Sequence, residues 1–397
     1  MYIYSIYLDN MNRTIKNNKL ILNKMYDKPL DNFEFPHSIQ SVVFKGKFYK
    51  NIDKLIFPSS IQSIIFKGKF NQNIDGISFP SSLQYLKFGK LFNQNIDKIK
   101  LPISLQTIVF NECFNQNIDK VILPENLQFL TFGTNFDQIL DNVKLPESLQ
   151  SITFGDSFDQ HIDKVKFPNS IRILKFGNDF NQVLDNVKFP DSLHSLTFGY
   201  NFNQVLDNVK FPDSLHSLTF GFDFNQVLDN VKFPDSLHSL TFGGLFNQNI
   251  NKVILPANLK ILTFGFRFNQ NIDEVLLPAN LQNLTFGSWF NNNLDKINFP
   301  TSLKSMTFNC CYPKNNFKLP ESLEYITFRE YHNQTLPENI KEITIYYLNE
   351  PMTNLPLFLQ KITFIDIYGS NVKKRTEHIE NSKIPFGCKI VYKLFTY

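Results

Sequence analysis

The chain has few cysteines, and their arrangement indicates neither a disulfide framework nor a metal site. The four cysteines stand at positions 113, 310, 311 and 388 of 397 residues. This pattern lacks the regular spacing of disulfide-rich domains and the paired spacing of zinc ligands. P-loop, dinucleotide-glycine, nucleophile-elbow and metalloprotease motifs are also missing. We therefore predict a protein with reduced thiols, no metal, no cofactor and no enzymatic activity.

Long apolar runs and blocks of one charge are also lacking. No segment approaches the roughly 18 apolar residues of a membrane-spanning helix, and Met1–Asp9 has no basic region of the kind that opens a signal peptide. The 40 Lys and Arg against 36 Asp and Glu are interleaved, and Lys373–Arg375 is followed by Glu377 and Glu380, which is typical of a solvated loop. We expect an intracellular, cytoplasmic protein that contacts neither membrane nor nucleic acid.

In place of linkers, the chain contains a tandem repeat. Pro190 to Phe211 forms one 22-residue unit, and three blocks beginning at Phe180, Phe202 and Phe224 are identical over twenty residues. One phenylalanine position recurs every 22 residues, at 48, 70, 92, 114, 136, 158, 180, 202, 224, 246, 268 and 290. Such a period indicates a solenoid, in which each turn buries its apolar face against its neighbours.

The unit predicts one strand and one irregular return. Leu193, Leu196 and Phe198 have the Leu-x-x-Leu-x-Leu spacing of a leucine-rich repeat, and the alternation at 196 and 198 turns both side chains to one face. The return is too short for a long helix. The predicted fold is a mostly β, leucine-rich-repeat-like solenoid with a parallel sheet along one face; the alternative is a closed parallel β-helix with strands on both faces.

The regularity of the repeat divides the chain. Residues 1–25 are predicted to form an N-terminal cap, and residues 26–310 the regular repeats, beginning with a partial copy from Tyr26 to Phe33. The proline spacing shortens after Pro300, so residues 311–368 are predicted to be degenerate repeats. Residues 369–397 are predicted to be a polar loop followed by a covering strand at Lys389–Phe395.

Over about Tyr26 to Phe364 the unit resembles the FNIP repeat proteins, a leucine-rich-repeat-like family of social amoebae and of giant viruses that infect amoebae. The segments Phe202-Asn203-Gln204-Val205-Leu206 and Phe92-Asn93-Gln94-Asn95-Ile96 carry the resemblance. It implies protein contacts and, for a viral chain, the host cytoplasm. Some family members bear an F-box, which implies substrate selection for ubiquitin ligases, but only about 25 residues precede the first repeat here and no F-box pattern is evident.

Two ladders of equivalent residues could suggest metal binding. His194, His216 and His238 would stack about 5 Å apart, yet they lie in duplicated blocks, so duplication alone explains their spacing. An aspartate recurs five residues after the repeated phenylalanine, for example Asp97 and Asp207. The Gly-rich turns of calcium-binding β-solenoids are absent, so we expect these aspartates to form Asx-type hydrogen bonds in their turns.

The unit varies most at the two positions that follow the strand-ending glycine. We call these positions the rim. A threonine stripe is expected on the exposed sheet face beside it, as suits an exposed parallel strand. Aromatic and arginine side chains are favoured at binding hot spots. The candidate partner-binding residues on the rim are Tyr200, Phe222, Phe266, Arg267 and Trp289.

The leading hypothesis is a non-enzymatic scaffold that binds an unknown protein partner through the sheet face and the rim. The alternatives are a self-associating structural protein and a substrate-recognition subunit related to F-box proteins. The sequence leaves the partner, the biological process, the oligomeric state, the curvature of the solenoid and any association with a ubiquitin ligase undetermined.

Overall fold

The computed structural model describes residues 13–22, 33–36, 38–45, 52, 55–311, 318–366 and 377–394. The predictions for Lys373–Arg375, for most of the partial repeat at 26–33 and for Asp53 fall outside these residues. The chain divides into two compact units, Met1–Tyr200 and Asn201–Tyr397, and each is described by itself.

The first unit begins with an antiparallel hairpin and continues as a parallel sheet. Asn17 and Asn18 join the two hairpin strands with φ of 47° and 56°, the left-handed backbone that a two-residue turn requires and that asparagine tolerates. The second strand pairs in parallel with the third, and each later strand of the unit pairs in parallel with the one before it. The strands are β1 (Arg13–Lys16), β2 (Lys19–Leu22), β3 (Ser41–Phe44), β4 (Ser63–Phe66), β5 (Tyr85–Lys87), β6 (Thr107–Val109), β7 (Phe129–Thr131), β8 (Ser151–Thr153), β9 (Ile173–Lys175) and β10 (Ser195–Thr197).

The second unit is also a parallel sheet with one strand per turn, and its later strands are longer. Lys361 of one strand stands opposite Lys389 of the last. A single helical turn occupies 377–380. The strands are β11 (Ser217–Thr219), β12 (Ser239–Thr241), β13 (Ile261–Thr263), β14 (Asn283–Phe286), β15 (Ser305–Cys311), β16 (Tyr325–Tyr331), β17 (Glu342–Leu348), β18 (Lys361–Asp366) and β19 (Lys389–Leu394).

The strands follow the alternation of the sequence. In β10 the central Leu196 is fully buried, while Ser195 and Thr197 on either side are partly exposed. The predicted threonine stripe has the same partial exposure, for example at Thr153 and Thr241. Neighbouring strands therefore add one buried side chain per turn to the core and leave a polar face on the other side of the sheet.

The repeated phenylalanines fill two columns inside each unit. Phe154 and Phe158 belong to one turn and stack at 4.2 Å between ring centroids. Each ring also stacks on its equivalent in the next turn, Phe158 on Phe180 at 6.0 Å with the ring planes 8° apart. Each phenylalanine ring buries a large apolar area, so the repeated aromatics are the core of the solenoid.

The returning half of each turn is built from tight turns. The amide of Leu193 donates to the carbonyl of Pro190 at 3.0 Å, and in the second unit the amide of Val209 donates to Leu206 at 3.0 Å. Leu206 and Val209 are buried. Within the described residues the regular returns carry no strand. The fold is therefore a mostly β parallel solenoid of leucine-rich-repeat type, and the closed β-helix alternative is wrong.

Candidate functional site

The rim backbone is held in place by one hydrogen bond per turn. In the second unit the amide of Arg267 donates to the carbonyl of Gly244 at 2.8 Å, and the amide of Trp289 donates to that of Phe266 at 3.0 Å. In the first unit the amide of Ser157 donates to Thr134 at 2.8 Å. Because the backbone is fixed at equivalent places, the rim side chains project outward from a regular frame.

Four candidate residues of the second unit form what we call the rim patch: Phe222, Phe266, Arg267 and Trp289. Their aromatic side chains are exposed by 38%, 44% and 54%, respectively. The rings of Phe266 and Trp289 lie 5.8 Å apart and are tilted by 51°. The Arg267 guanidinium carbon lies 5.1 Å from the centre of the Trp289 ring, a cation–π distance. The structure thus places three of the predicted residues in direct contact.

Gly244 shapes this patch, although the sequence did not single it out. A Cβ atom built on Gly244 would lie only 2.2 Å from Cδ2 and Cε2 of Phe222. The Phe222 ring therefore lies over the turn of Gly244, which separates the turns of Phe222 and Phe266. The signal available in the sequence was a rim position with no side chain between two phenylalanines, at 222 and 266.

The rim of the first unit is mostly polar. Lys90 pairs with Glu112 at 2.7 Å, and this contact raises the pKa of the lysine through the hydrogen bond and the charge of Glu112. Thr134, Asp156 and Asn178 occupy the following turns. Tyr200, the fifth candidate, is 48% exposed. It belongs to this unit and is considered separately from the rim patch.

The histidine ladder is a stack of hydrogen-bonded rings. His216 and His238 stack at 5.0 Å with their planes 9° apart, as the spacing predicted. Nδ1 of each lies 2.5 Å from a serine carbonyl two residues earlier, so it carries the proton and donates. His194 makes the same contact within the first unit. Among the described residues, no three histidine, cysteine or acidic side chains are placed to share a metal ion.

The aspartate ladder works differently from the expectation. In the turn of Asp97 the side-chain oxygen of Asn95 accepts the aspartate amide at 2.8 Å, and the Asn95 amide group donates to the carboxylate at 3.2 Å. The Asx turn is therefore made by the asparagine, and the aspartate orients that asparagine. Where valine replaces it, as at Val205, Asp207 instead accepts a bond from Asn230 in the next turn at 3.3 Å.

A second polar ladder, of asparagine and glutamine, joins consecutive turns. The side-chain oxygen of Asn203 accepts both the backbone amide of Asn225, at 2.9 Å, and the side-chain amide of Gln226, at 3.0 Å. Asp159 accepts the equivalent pair in the first unit. These side chains hydrogen-bond to neighbouring turns, so the polar positions that recur from unit to unit have a structural role. Variable side chains face outward at the rim.

Two further features escaped the sequence reasoning. Leu357, Phe358 and Phe386 are exposed large apolar residues on the turns that precede β18 and β19. At these positions most regular units carry small or polar residues such as Asp213 and Ser214. On the sheet face, Glu324 of the turn before β16 pairs with Lys304 at 2.8 Å and Lys341 at 2.6 Å. The sequence signals the first feature, because the serine of the regular turn is replaced by Phe358. The ion pairs could not be predicted in this way, because they depend on which residues the register of the strands places side by side.

One strand per turn and the Leu-x-x-Leu-x-Phe spacing define a leucine-rich-repeat-like solenoid. The family model described as "FNIP Repeat" matches residues 48–311 in eight segments of two units each. CroV588, a protein of the giant virus CroV whose structure is titled a novel circular leucine-rich-repeat protein, is 31% identical over 96% of this chain and 70% of its own, with a TM-score of 0.61. The chain belongs to the FNIP repeat family, as its sequence predicted.

Other solved structures share less. An internalin of Listeria monocytogenes is 13% identical over 82% of this chain and 84% of its own, with a TM-score of 0.41. The pneumococcal vaccine antigen PcpA is 14% identical over 99% and 100%, with a TM-score of 0.27. A comparison with curated proteins found no match. Of the described residues, no helix is long and apolar enough to cross a membrane.

Proposed function

We propose that this chain is a non-enzymatic scaffold that binds a protein partner through the rim, chiefly through Phe222, Phe266, Arg267 and Trp289. The observation that carries the proposal is the contact cluster itself: two aromatic rings 5.8 Å apart with a guanidinium stacked on one of them. Aromatic side chains and arginine are enriched among the hot spots that dominate the energetics of protein interfaces, and rigid aromatic rings lose little conformational entropy on binding.

The frame beneath the patch supports this use. The rim backbone is fixed by a hydrogen bond in each turn, and the Phe246, Phe268 and Phe290 rings below it are buried in a stacked column. The patch is therefore presented without a folding cost at the moment of binding, which favours affinity. Membership of a leucine-rich-repeat-like family is consistent with a protein-interaction role.

Quantitative affinity capture from the native cell tests the proposal. A variant with Phe222→Ala, Phe266→Ala and Trp289→Ala is expected to lose its captured partner while its far-ultraviolet circular dichroism stays unchanged. Tyr200→Ala, assayed separately, tests the first-unit rim. A partner retained by the triple variant at the wild-type level contradicts the proposal.

The matched control removes exposed apolar side chains from the returning segments instead. Ile122, Ile254 and Leu276 are exposed by 85%, 84% and 89%, more than the rim aromatics. Their triple alanine variant should capture the partner as the wild type does. A partner lost equally from both variants would indicate nonspecific apolar binding.

Self-association is a second candidate function, favoured by Leu357 and Phe358, which are 75% and 78% exposed. Apolar groups of this size at the surface promote association between copies. Light scattering across a concentration series is expected to show a rising mass that Leu357→Ser with Phe358→Ser abolishes. A constant monomer mass excludes this function.

A further inference from the structure

The Arg267 side chain of the rim patch has no acidic partner in the described part of the chain, where the ion pairs involve other cations. Its guanidinium is held against the Trp289 ring. Stacking uses the face of the guanidinium plane and leaves the N–H groups at its edge to donate to a planar acceptor. A carboxylate matches this geometry, because it accepts two parallel hydrogen bonds.

The apolar part of the patch lies beside this cation. The Phe222 ring lies over Gly244, one turn away from Phe266, so the aromatic surface extends along consecutive turns. Strands of a parallel sheet are about 4.8 Å apart, and residues on one side of an extended peptide are about 7 Å apart. A short extended segment can therefore contact Phe222 with one side chain and Arg267 with another.

From this arrangement we propose that the rim patch binds an extended peptide segment of the partner that carries an acidic side chain next to an apolar one. The carboxylate binds Arg267, and the aromatic or aliphatic side chain packs on Phe222 and Phe266. This inference rests on the proposed protein-binding function and specifies the chemistry of its partner.

The charges of the rim favour a peptide over a single-stranded nucleic acid. Aromatic rings and arginine could also stack on bases, but nucleic-acid grooves carry several cations to neutralise the phosphates. On the second-unit rim between Phe222 and Trp289, Arg267 is accompanied by one acidic residue, Asp223, and by no lysine. One guanidinium matches one carboxylate and is insufficient for a phosphate backbone.

Phage-displayed random linear peptides, selected against the full chain, test the proposal. Selection on the wild type is expected to enrich peptides that pair Asp or Glu with an aromatic or aliphatic residue. Selection on Arg267→Glu should lose the acidic preference, because the new carboxylate repels it. Circular dichroism establishes that each variant is folded.

A synthetic copy of an enriched peptide can then be titrated against the intrinsic fluorescence of Trp289, the one tryptophan of the chain. Arg267→Glu is expected to weaken binding by about tenfold or more, since a charge-assisted hydrogen bond is worth about 1.5–3 kcal/mol. Raising the salt concentration should also weaken binding to the wild type, because salt screens the attraction between the carboxylate and Arg267.

The matched control is Arg329→Glu, which reverses another stacked arginine, 6.0 Å from the ring of Tyr347. Its affinity for the peptide should equal that of the wild type. Gly244→Ala tests the apolar part of the rim patch, because the added Cβ must displace the Phe222 ring. This variant is expected to bind the peptide more weakly, although no atom that contacts the peptide has been removed.

The outcomes separate the inference from the proposed function. Peptides that lose binding to the triple alanine rim variant but show no acidic preference overturn the inference and leave the function standing. If the wild type and the triple variant select the same peptides, or if neither selects any, both the inference and the proposed function are overturned. Tighter binding of a fluorescent single-stranded oligonucleotide than of any selected peptide overturns the inference in favour of nucleic acid.

Discussion

From Gly133 onward, strand-ending glycines lie where consecutive turns approach closely. A left-handed turn does not explain them, because among the described glycines only Gly68 and Gly387 have positive φ. A Cβ atom on Gly155 would lie 1.7 Å from the carbonyl oxygen of Gly133. The repeated glycine is thus a packing residue, which its sequence position alone could not distinguish from a turn residue.

Gly155→Ala should therefore destabilise the protein, by about 1–3 kcal/mol for overpacking. Equilibrium urea denaturation measures the loss. Gly89→Ala is the matched control, because the nearest atoms to its Cβ are 3.2 Å away, and it should change the free energy of unfolding much less. Equal losses for the two variants would contradict the close-approach explanation.

Phe158 shows the cost of interrupting an aromatic column. Its ring is fully buried and stacks on Phe136, Phe154 and Phe180. Phe158→Ala is expected to lower the free energy of unfolding by about 3–5 kcal/mol, the sum of lost burial and a new cavity. Phe129→Ala, on the exposed sheet face at 41% exposure, should cost far less in the same denaturation experiment; a similar cost would show that the columns are not the core.

At the scale of strands and turns, periodicity predicted the regular elements and missed the irregular ones. The three-residue strands from β5 to β13 lie where Leu-x-Phe alternation places them. The β1–β2 hairpin escaped prediction because it lies outside the 22-residue period and its turn, Asn17-Asn18, lacks the glycine that usually marks a two-residue hairpin turn. In the longer strands β16 and β17 the alternation is interrupted after the phenylalanine or isoleucine: in β16, Arg329 and Glu330 both lie outside the core before Tyr331 is buried again.

The ion pairs before β15, β16 and β17 make this end of the sheet sensitive to acid. The two hydrogen bonds from Lys304 and Lys341 lower the pKa of Glu324 from 4.5 to about 2. Since the pKa is lower in the folded state, the contribution to stability is present above about 4.5, the unfolded value, and is lost as the pH falls toward 2.

Glu324→Gln is accordingly expected to lower the melting temperature at neutral pH, with the gap from the wild type closing between pH 4.5 and about 2. Thermal denaturation followed by circular dichroism across this range measures it. Glu321→Gln is the control, because its pair with Lys318 is highly exposed and such pairs add little. A gap that is independent of pH would assign the effect of Glu324 to packing.

At the scale of the whole molecule, the repeat predicted the fold, the family and the inward-facing residues. The repeat could not predict contacts between the variable side chains of the rim. These contacts depend on the side-chain rotamers and on which rim positions are occupied by glycine. Gly244 is the example: the sequence offers a small residue, and the structure shows the Phe222 ring lying over it. The boundaries at 25, 310 and 368 and the binding role of the rim stay predictions.

The central claim, that the frame is structural and the rim patch binds the partner, is tested most directly by site-specific photo-crosslinking in the native cell. A benzophenone amino acid at position 266 should attach to a partner protein on illumination, and the same amino acid at position 276, on the return of the same turn, should not. Equal crosslinking at both positions, or crosslinking at 276 alone, would contradict the claim.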